Sequence, residues 1–181
     1  MEVSLRNLFR GSALLILFTA FHPVSDAQIR SEYTSVGEKS CKTIRTEPDE
    51  GAEYEGECPG VGGYKLRLLE GDLRQSLDVV TPKKKTHQLA FWNISPAFSY
   101  IGDKVEWRMQ GKMPIALIAR FDASEDPANP EKRTSYLIVT KITKNEVCVT
   151  DVIRPSQTQN AEARKAADSA GSRPCRRTES Q

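Results

Sequence analysis

Histidine is almost missing from this 181-residue chain, which has two, His22 and His87. A Ser-His-Asp or Cys-His centre would have to use one of them, and no G-x-S-x-G turn accompanies either. One or two isolated imidazoles also fall short of the ligand set of a histidine-built metal site. No C-x-x-C pair occurs, and successive cysteines lie 17, 90 and 27 residues apart. At that spacing two thiolates cannot share a zinc ion from a single turn. Charge of one sign is scarce too: 26 basic residues against 24 acidic leave +2, not the basic footprint of a nucleic-acid binder. The longest apolar or small run, Gly11–Phe21, has 11 residues. A membrane span needs roughly 20. The sequence therefore assigns no catalytic residue, no metal ligand and no cofactor, and it carries no internal repeat.

The N-terminus has the organisation of a secretory leader. Arg6 and Arg10 precede the apolar run, His22-Pro23 ends it, and Ser25-Asp26-Ala27 offers small residues at a cleavage site. A signal peptide over residues 1–27, cut near Ala27, predicts a periplasmic or secreted mature chain without a membrane span. His87 is then its only histidine. In an oxidising compartment an even cysteine count reads as disulfides, here two among Cys41, Cys58, Cys148 and Cys175. Three connectivities exist; the two shorter loops, Cys41–Cys58 and Cys148–Cys175, are favoured, each stabilising by about 3 kcal/mol on chain-entropy grounds.

Residues 28–40 are polar and read as a loose lead-in to a single domain over 41–175, with a basic, polar tail at 176–181. Short period-two runs bounded by turn residues come next. Tyr64–Leu68 alternates apolar and basic; beyond Glu70-Gly71-Asp72, Leu73, Gln75, Leu77 and Val79 line one face, which predicts a hairpin. Gln88–Asn93 is a candidate strand with Phe91 and Trp92. Val105, Trp107 and Met109 alternate with charge, Pro114–Phe121 is apolar on both faces as a central strand is, and Ser135–Thr143 pairs with Glu146–Ile153. The pattern predicts a mainly β fold: one antiparallel barrel or sandwich of about seven or eight strands, disulfide-stapled. One C-terminal α-helix is expected over 160–170, capped by Asn160 and stopped at Gly171, its Ala163, Ala166, Ala167 and Ala170 forming a stripe that suits close packing.

The aromatics from Phe91 to Trp107 are the main candidates for binding. Core packing is their ordinary use, and Trp92, Tyr100 and Trp107 are the residues that a partner or ligand site would draw on. Lys83–Lys85 reads as a solvated turn. The acids Glu47, Asp49, Glu50 and Glu53, and the second group Asp122, Glu125 and Asp126, read as loop charge; the second, with Asn129, has no EF-hand pattern for calcium. Asn93-Ile94-Ser95 is formally a glycosylation triplet, followed by Pro96.

Four stretches, Cys58–Ser76, Asn129–Ile142, Cys148–Ile153 and Asn160–Cys175, resemble a group of small exported proteobacterial proteins to which no activity is attached. The resemblance implies a Gram-negative host and a periplasmic address, and it implies no site residues. The periplasmic lysozyme inhibitors are likewise small disulfide-bonded β domains, but their inhibitory loop motifs are not found here, and shared architecture does not transfer function. The expected role is a non-enzymatic module for an extracytoplasmic protein or glycan. The alternatives are a small-molecule or glycan binder with an aromatic pocket, and a carboxylate-based hydrolase.

Overall fold

The computed structural model describes residues 28–47 and 53–176. The expected signal peptide, Asp49 and Glu50 of the first acidic group, and the tail beyond Arg176 lie outside the described residues.

The fold is mainly β with one helix. Ten strands form one sheet that is not closed into a barrel, rather than the seven or eight expected. They are β1 (Ile29–Ser35), β2 (Lys42–Glu47), β3 (Glu53–Pro59), β4 (Lys65–Gly71), β5 (Arg74–Val80), β6 (Thr86–Gln88), β7 (Ser99–Gln110), β8 (Met113–Ala123), β9 (Thr134–Ile142) and β10 (Val147–Ile153), and after them comes α1 (Gln159–Asp168). Nearly every pairing is antiparallel; β5 and β7 meet in parallel at the single pair Arg74↔Ser99. From that point they diverge. β6 continues alongside β5 and β1 alongside β7, so the sheet has two arms, β2-β3-β4-β5-β6 and β1-β7-β8-β9-β10.

Both arms feed one core. Leu66 and Leu68 of β4 stand opposite Val79 and Leu77 of β5, and these pack in one buried cluster with Trp107, Met109, Leu117, Phe121 and Ile138 of the other arm. The inner faces are thus the alternate apolar positions that the period of two prescribes. β8 is covered on both sides: Leu117 and Phe121 face the shared core, while Ala116 and Ile118 join Leu137 and Val139 beneath α1.

The segment 28–40, expected as a loose lead-in, contains β1, which pairs with β7 over seven residues. Its polarity hid it. β1 contributes hydrogen-bonding groups rather than apolar bulk: Trp107 Nε1 donates to Thr34 Oγ1 at 2.9 Å, and Ser31 donates to Glu106 at 2.6 Å.

The helix lies on the outer face of β8 and β9 because Ala163, Ala166, Ala167 and Ala170, all buried, let its backbone approach closely. Two Arg–carboxylate pairs fix its position. Arg164 reaches Glu106 at 2.8 and 3.1 Å, and Arg108 reaches Asp168 at 2.6 and 3.0 Å. The geometry matches because i,i+2 on a strand and i,i+4 on a helix are similar spans. Burial pushes the Glu106 carboxyl up, but hydrogen bonds from Arg164 and Ser31 and the two guanidinium charges outweigh it and hold it below the usual carboxylate range. Two details differ from expectation. Thr158 rather than Asn160 sits at the N-cap, and Gly171 lies in a 3-10 turn (Ala170–Ser172) instead of a left-handed stop. The chain continues to Cys175, which is bonded to Cys148; Cys41 is bonded to Cys58, so both favoured pairings form. No helix among the described residues is long and apolar enough to cross a membrane.

Candidate functional site at the junction of the arms

The three aromatic candidates are separated by the fold. Trp107 is fully buried in the core against Tyr64, with ring centroids 6.3 Å apart, and offers no binding surface. Gln88–Asn93 is not a strand: β6 ends at Gln88 and Phe91–Asn93 forms a 3-10 turn. That turn points consecutive aromatics in opposite directions. Phe91 enters the core edge-on against Phe121, with centroids at 5.9 Å, and Trp92 remains 37% exposed. Two buried polar side chains of β5 hold the segment: Phe91 N donates to Ser76 Oγ at 2.9 Å and Leu89 N to Asp78 Oδ1 at 3.3 Å.

Tyr100 lies on a different surface, a cleft of about 740 Å³ where the arms part. Its floor is Leu68, Ile101 and Val36, and its walls carry Lys39, Asp103, Asp122 and Arg133. The Arg133 guanidinium sits 4.3 Å from the Tyr100 ring centroid, a cation–π contact. β7 is irregular here, with its register to β8 shifting between Ile101 and Val105. Gly102 lies within this stretch, where a Cβ would come within 3.0 Å of the Arg120 side chain. With β5 moving away, Ile101 N is met by a side chain instead of a neighbouring strand. Gln75 Oε1 accepts it at 2.8 Å while Gln75 Nε2 donates to Glu70 at 2.6 Å.

The junction also displays a residue that the sequence pattern placed wrongly. Leu73 was expected on the inner face of the second hairpin strand. It occupies instead the two-residue turn Asp72-Leu73, with φ 53° and 57°. Two left-handed central residues define the turn type that Asn-Gly ordinarily fills. A leucine held there costs about 1–2 kcal/mol, and its side chain is 47% exposed. Leu73 O accepts from Ser99 N at 3.0 Å, which sets the turn beside Phe98, itself 50% exposed. Trp92 comes two residues after Ala90, another left-handed residue (φ 48°), and shares a 340 Å³ cleft with Tyr54, Gly71 and Arg74. Leu73 and Phe98 are thus exposed neighbours where β5 and β7 meet, and Trp92 lines the cleft that includes Gly71 and Arg74 on either side of the turn.

The other candidate chemistry is dispersed. Glu125 accepts from Tyr136 Oη at 2.8 Å, Asp126 pairs with Lys132 at 3.5 Å, and Asp122 lines the cleft, so the three acids do not converge. Glu146, Cys148 and Cys175 come together, but the two sulfurs are bonded to each other and have no thiolate to offer. His87 is half-buried on β6, where burial and nearby Lys85 hold its imidazole below its usual range. No family model, no curated protein and no solved structure matches this chain.

Proposed function

We propose that the protein is exported by the leader at residues 1–27, to the periplasm or beyond. There it acts as a non-catalytic binding domain that docks a macromolecular partner on the apolar tip formed by Leu73, Trp92 and Phe98. Two disulfides are consistent with an oxidising, extracytoplasmic location. The two arms, folded as a sandwich over one core, hold the tip rigid. The observation that carries the reading is Leu73: a large apolar side chain kept both solvent-exposed and in a backbone conformation that disfavours it. Strain that the fold could relieve with a glycine points to a use for the side chain. Trp92 supplies the aromatic anchor typical of binding hot spots.

The test is Leu73→Gly, which gives the turn the residue type that it favours. Its melting temperature should equal or exceed that of the parent. Retention of periplasmic or host-fluid proteins on the immobilised oxidised variant should drop, as it should for Trp92→Ala. Unchanged retention by both variants would discard the tip. A second reading uses the cleft at Tyr100, whose aromatic ring, paired cations and acids suit a glycan. Saccharide-array binding lost in Arg133→Ala, with the tip variants still binding, would favour it.

A further inference from the structure

β2 is one edge of the sheet, and all six of its residues are exposed. Folded proteins cover or blunt such edges, because a row of free N–H and C=O groups recruits other strands. The opposite edge, β10, is covered: Arg176 N donates to Val149 O at 2.8 Å, Arg173 holds Asp151, and Cys148–Cys175 ties the covering segment down. On β2 the staple has the reverse consequence. Cys41 and Cys58 continue the β2–β3 register one step beyond the pair Lys42↔Glu57, and their Cα atoms are 4.1 Å apart. So short a separation marks a non-hydrogen-bonded pair. Alternation then turns the backbone of Thr43 away from β3. Past the bulge at Ile44 it turns the backbone of Thr46 away too. Among the described residues nothing covers this edge, and it is held in place with the amides of Thr43 and Thr46 facing outward.

We propose that this edge docks a second copy of the same chain, β2 against β2 in antiparallel orientation, around a two-fold axis between Ile44 and Arg45. In that register Lys42 stands opposite Glu47 of the other copy, Thr43 opposite Thr46, and Ile44 opposite Arg45. Each outward Thr43 meets an outward Thr46, so both exchange main-chain hydrogen bonds, and the bulges face each other. Sliding by one residue in one direction sets Arg45 against Arg45; in the other it sets Lys42 against Thr46 and Thr43 against Arg45. Of these three registers, only full overlap sets Lys42 against Glu47 at both ends of the strand, while Arg45 keeps its own pairs with Glu47 and Glu53. Charge and bulge are edge-protecting features against foreign strands; against an identical strand they become complementary, as a closed two-fold interface requires. The contact is smaller than the roughly 1,200 Å² that marks a stable interface, so the dimer is reversible and weak.

Sedimentation equilibrium of the oxidised chain over a concentration series should show a monomer–dimer equilibrium that weakens with salt. Hydrogen exchange at the Thr43 and Thr46 amides should slow as concentration rises, while the rest of the chain is unchanged. Lys42→Glu and Glu47→Lys should each weaken self-association by roughly tenfold or more, and mixing the two variants should restore it, since each then meets its opposite. A chain that stays monomeric up to millimolar concentration overturns the proposal. So does a dimer indifferent to both charge variants, or a mixture that associates no better than its parts.

Discussion

Each end of the sheet carries one disulfide, and the two bonds serve opposite arrangements. At the β10 end, Cys148–Cys175 fastens a tail and helix that cover the sheet, with Lys141 Nζ bonded to Arg173 O at 2.7 Å and paired with Glu146 at 2.6 Å. At the β2 end, Cys41–Cys58 fastens a strand that no described residue covers. The same covalent link therefore adds a layer at one end and holds an open edge at the other. The difference lies in the neighbouring chain at each bond. Beyond Cys58 the chain returns into the core as β4, whereas Cys175 closes an alanine-faced helix whose burial needs a partner sheet.

The comparison breaks first at the core that both ends share. Trp107→Ala removes a fully buried ring and should cost about 3–5 kcal/mol, read as one cooperative shift in a denaturant melt that unfolds both ends together. Next comes the covered end. Replacing Cys148 and Cys175 by serine should cost about 3 kcal/mol and speed amide exchange throughout α1. The matching Cys41/Cys58 double serine variant should fray β2 locally and lower global stability less, because β2 buries so little. Equal global losses would erase the contrast. Asp168→Ala leaves the buried Arg108 with Glu106 as its remaining carboxylate partner and should cost about 2 kcal/mol, again confined in exchange experiments to the helix and β7.

The smallest expected effect lies between the ends, at Asp78. Burial pushes its carboxyl up from 3.8 to about 6, against the Leu89 amide and the Arg67 charge, which pull it down. The folded state then binds this proton more tightly than the unfolded state, so stability falls as pH rises from about 4 to about 6. Asp78→Asn keeps an acceptor for Leu89 N. It should raise stability by about 1 kcal/mol above pH 6 and leave it unchanged below pH 4, as measured by urea melts across that range. That gain is a fraction of the roughly 3 kcal/mol that the full shift would carry, because solvent screens a group this incompletely enclosed. A gain at low pH, or none at neutral pH, would remove the assignment.

Much of the scaffold was legible in the residues. The paired runs from Lys65 to Val80 and from Pro114 to Ile153 announced their strands, since period-two alternation and breaker residues act locally. The alanine stripe likewise announced a close-packed helix. β1 was not legible: its value to the fold is the hydrogen bonds that Thr34 and Ser31 make to β7, partners more than 70 residues away. The binding surface was legible only in part. Trp92 and Tyr100 were found as aromatic candidates, but Trp107 has the same signature and lies in the core. Phe98 lay within the same aromatic segment without being singled out, and Leu73 gave no signal, because a leucine in a strand-like run looks like core until the turn is seen to fall on it.

By itself the sequence determined the mainly β class, the helix, the pairing-ready cysteines and the scarcity of catalytic side chains. These come from local periodicity and from residue chemistry. Only the tertiary structure decided that the sheet splits into two arms at Arg74 and Ser99, which tryptophan faces solvent, and which edge the described residues leave uncovered. Each of those depends on where strands distant in sequence meet, and hydrogen-bond register between distant segments is not written in any one of them.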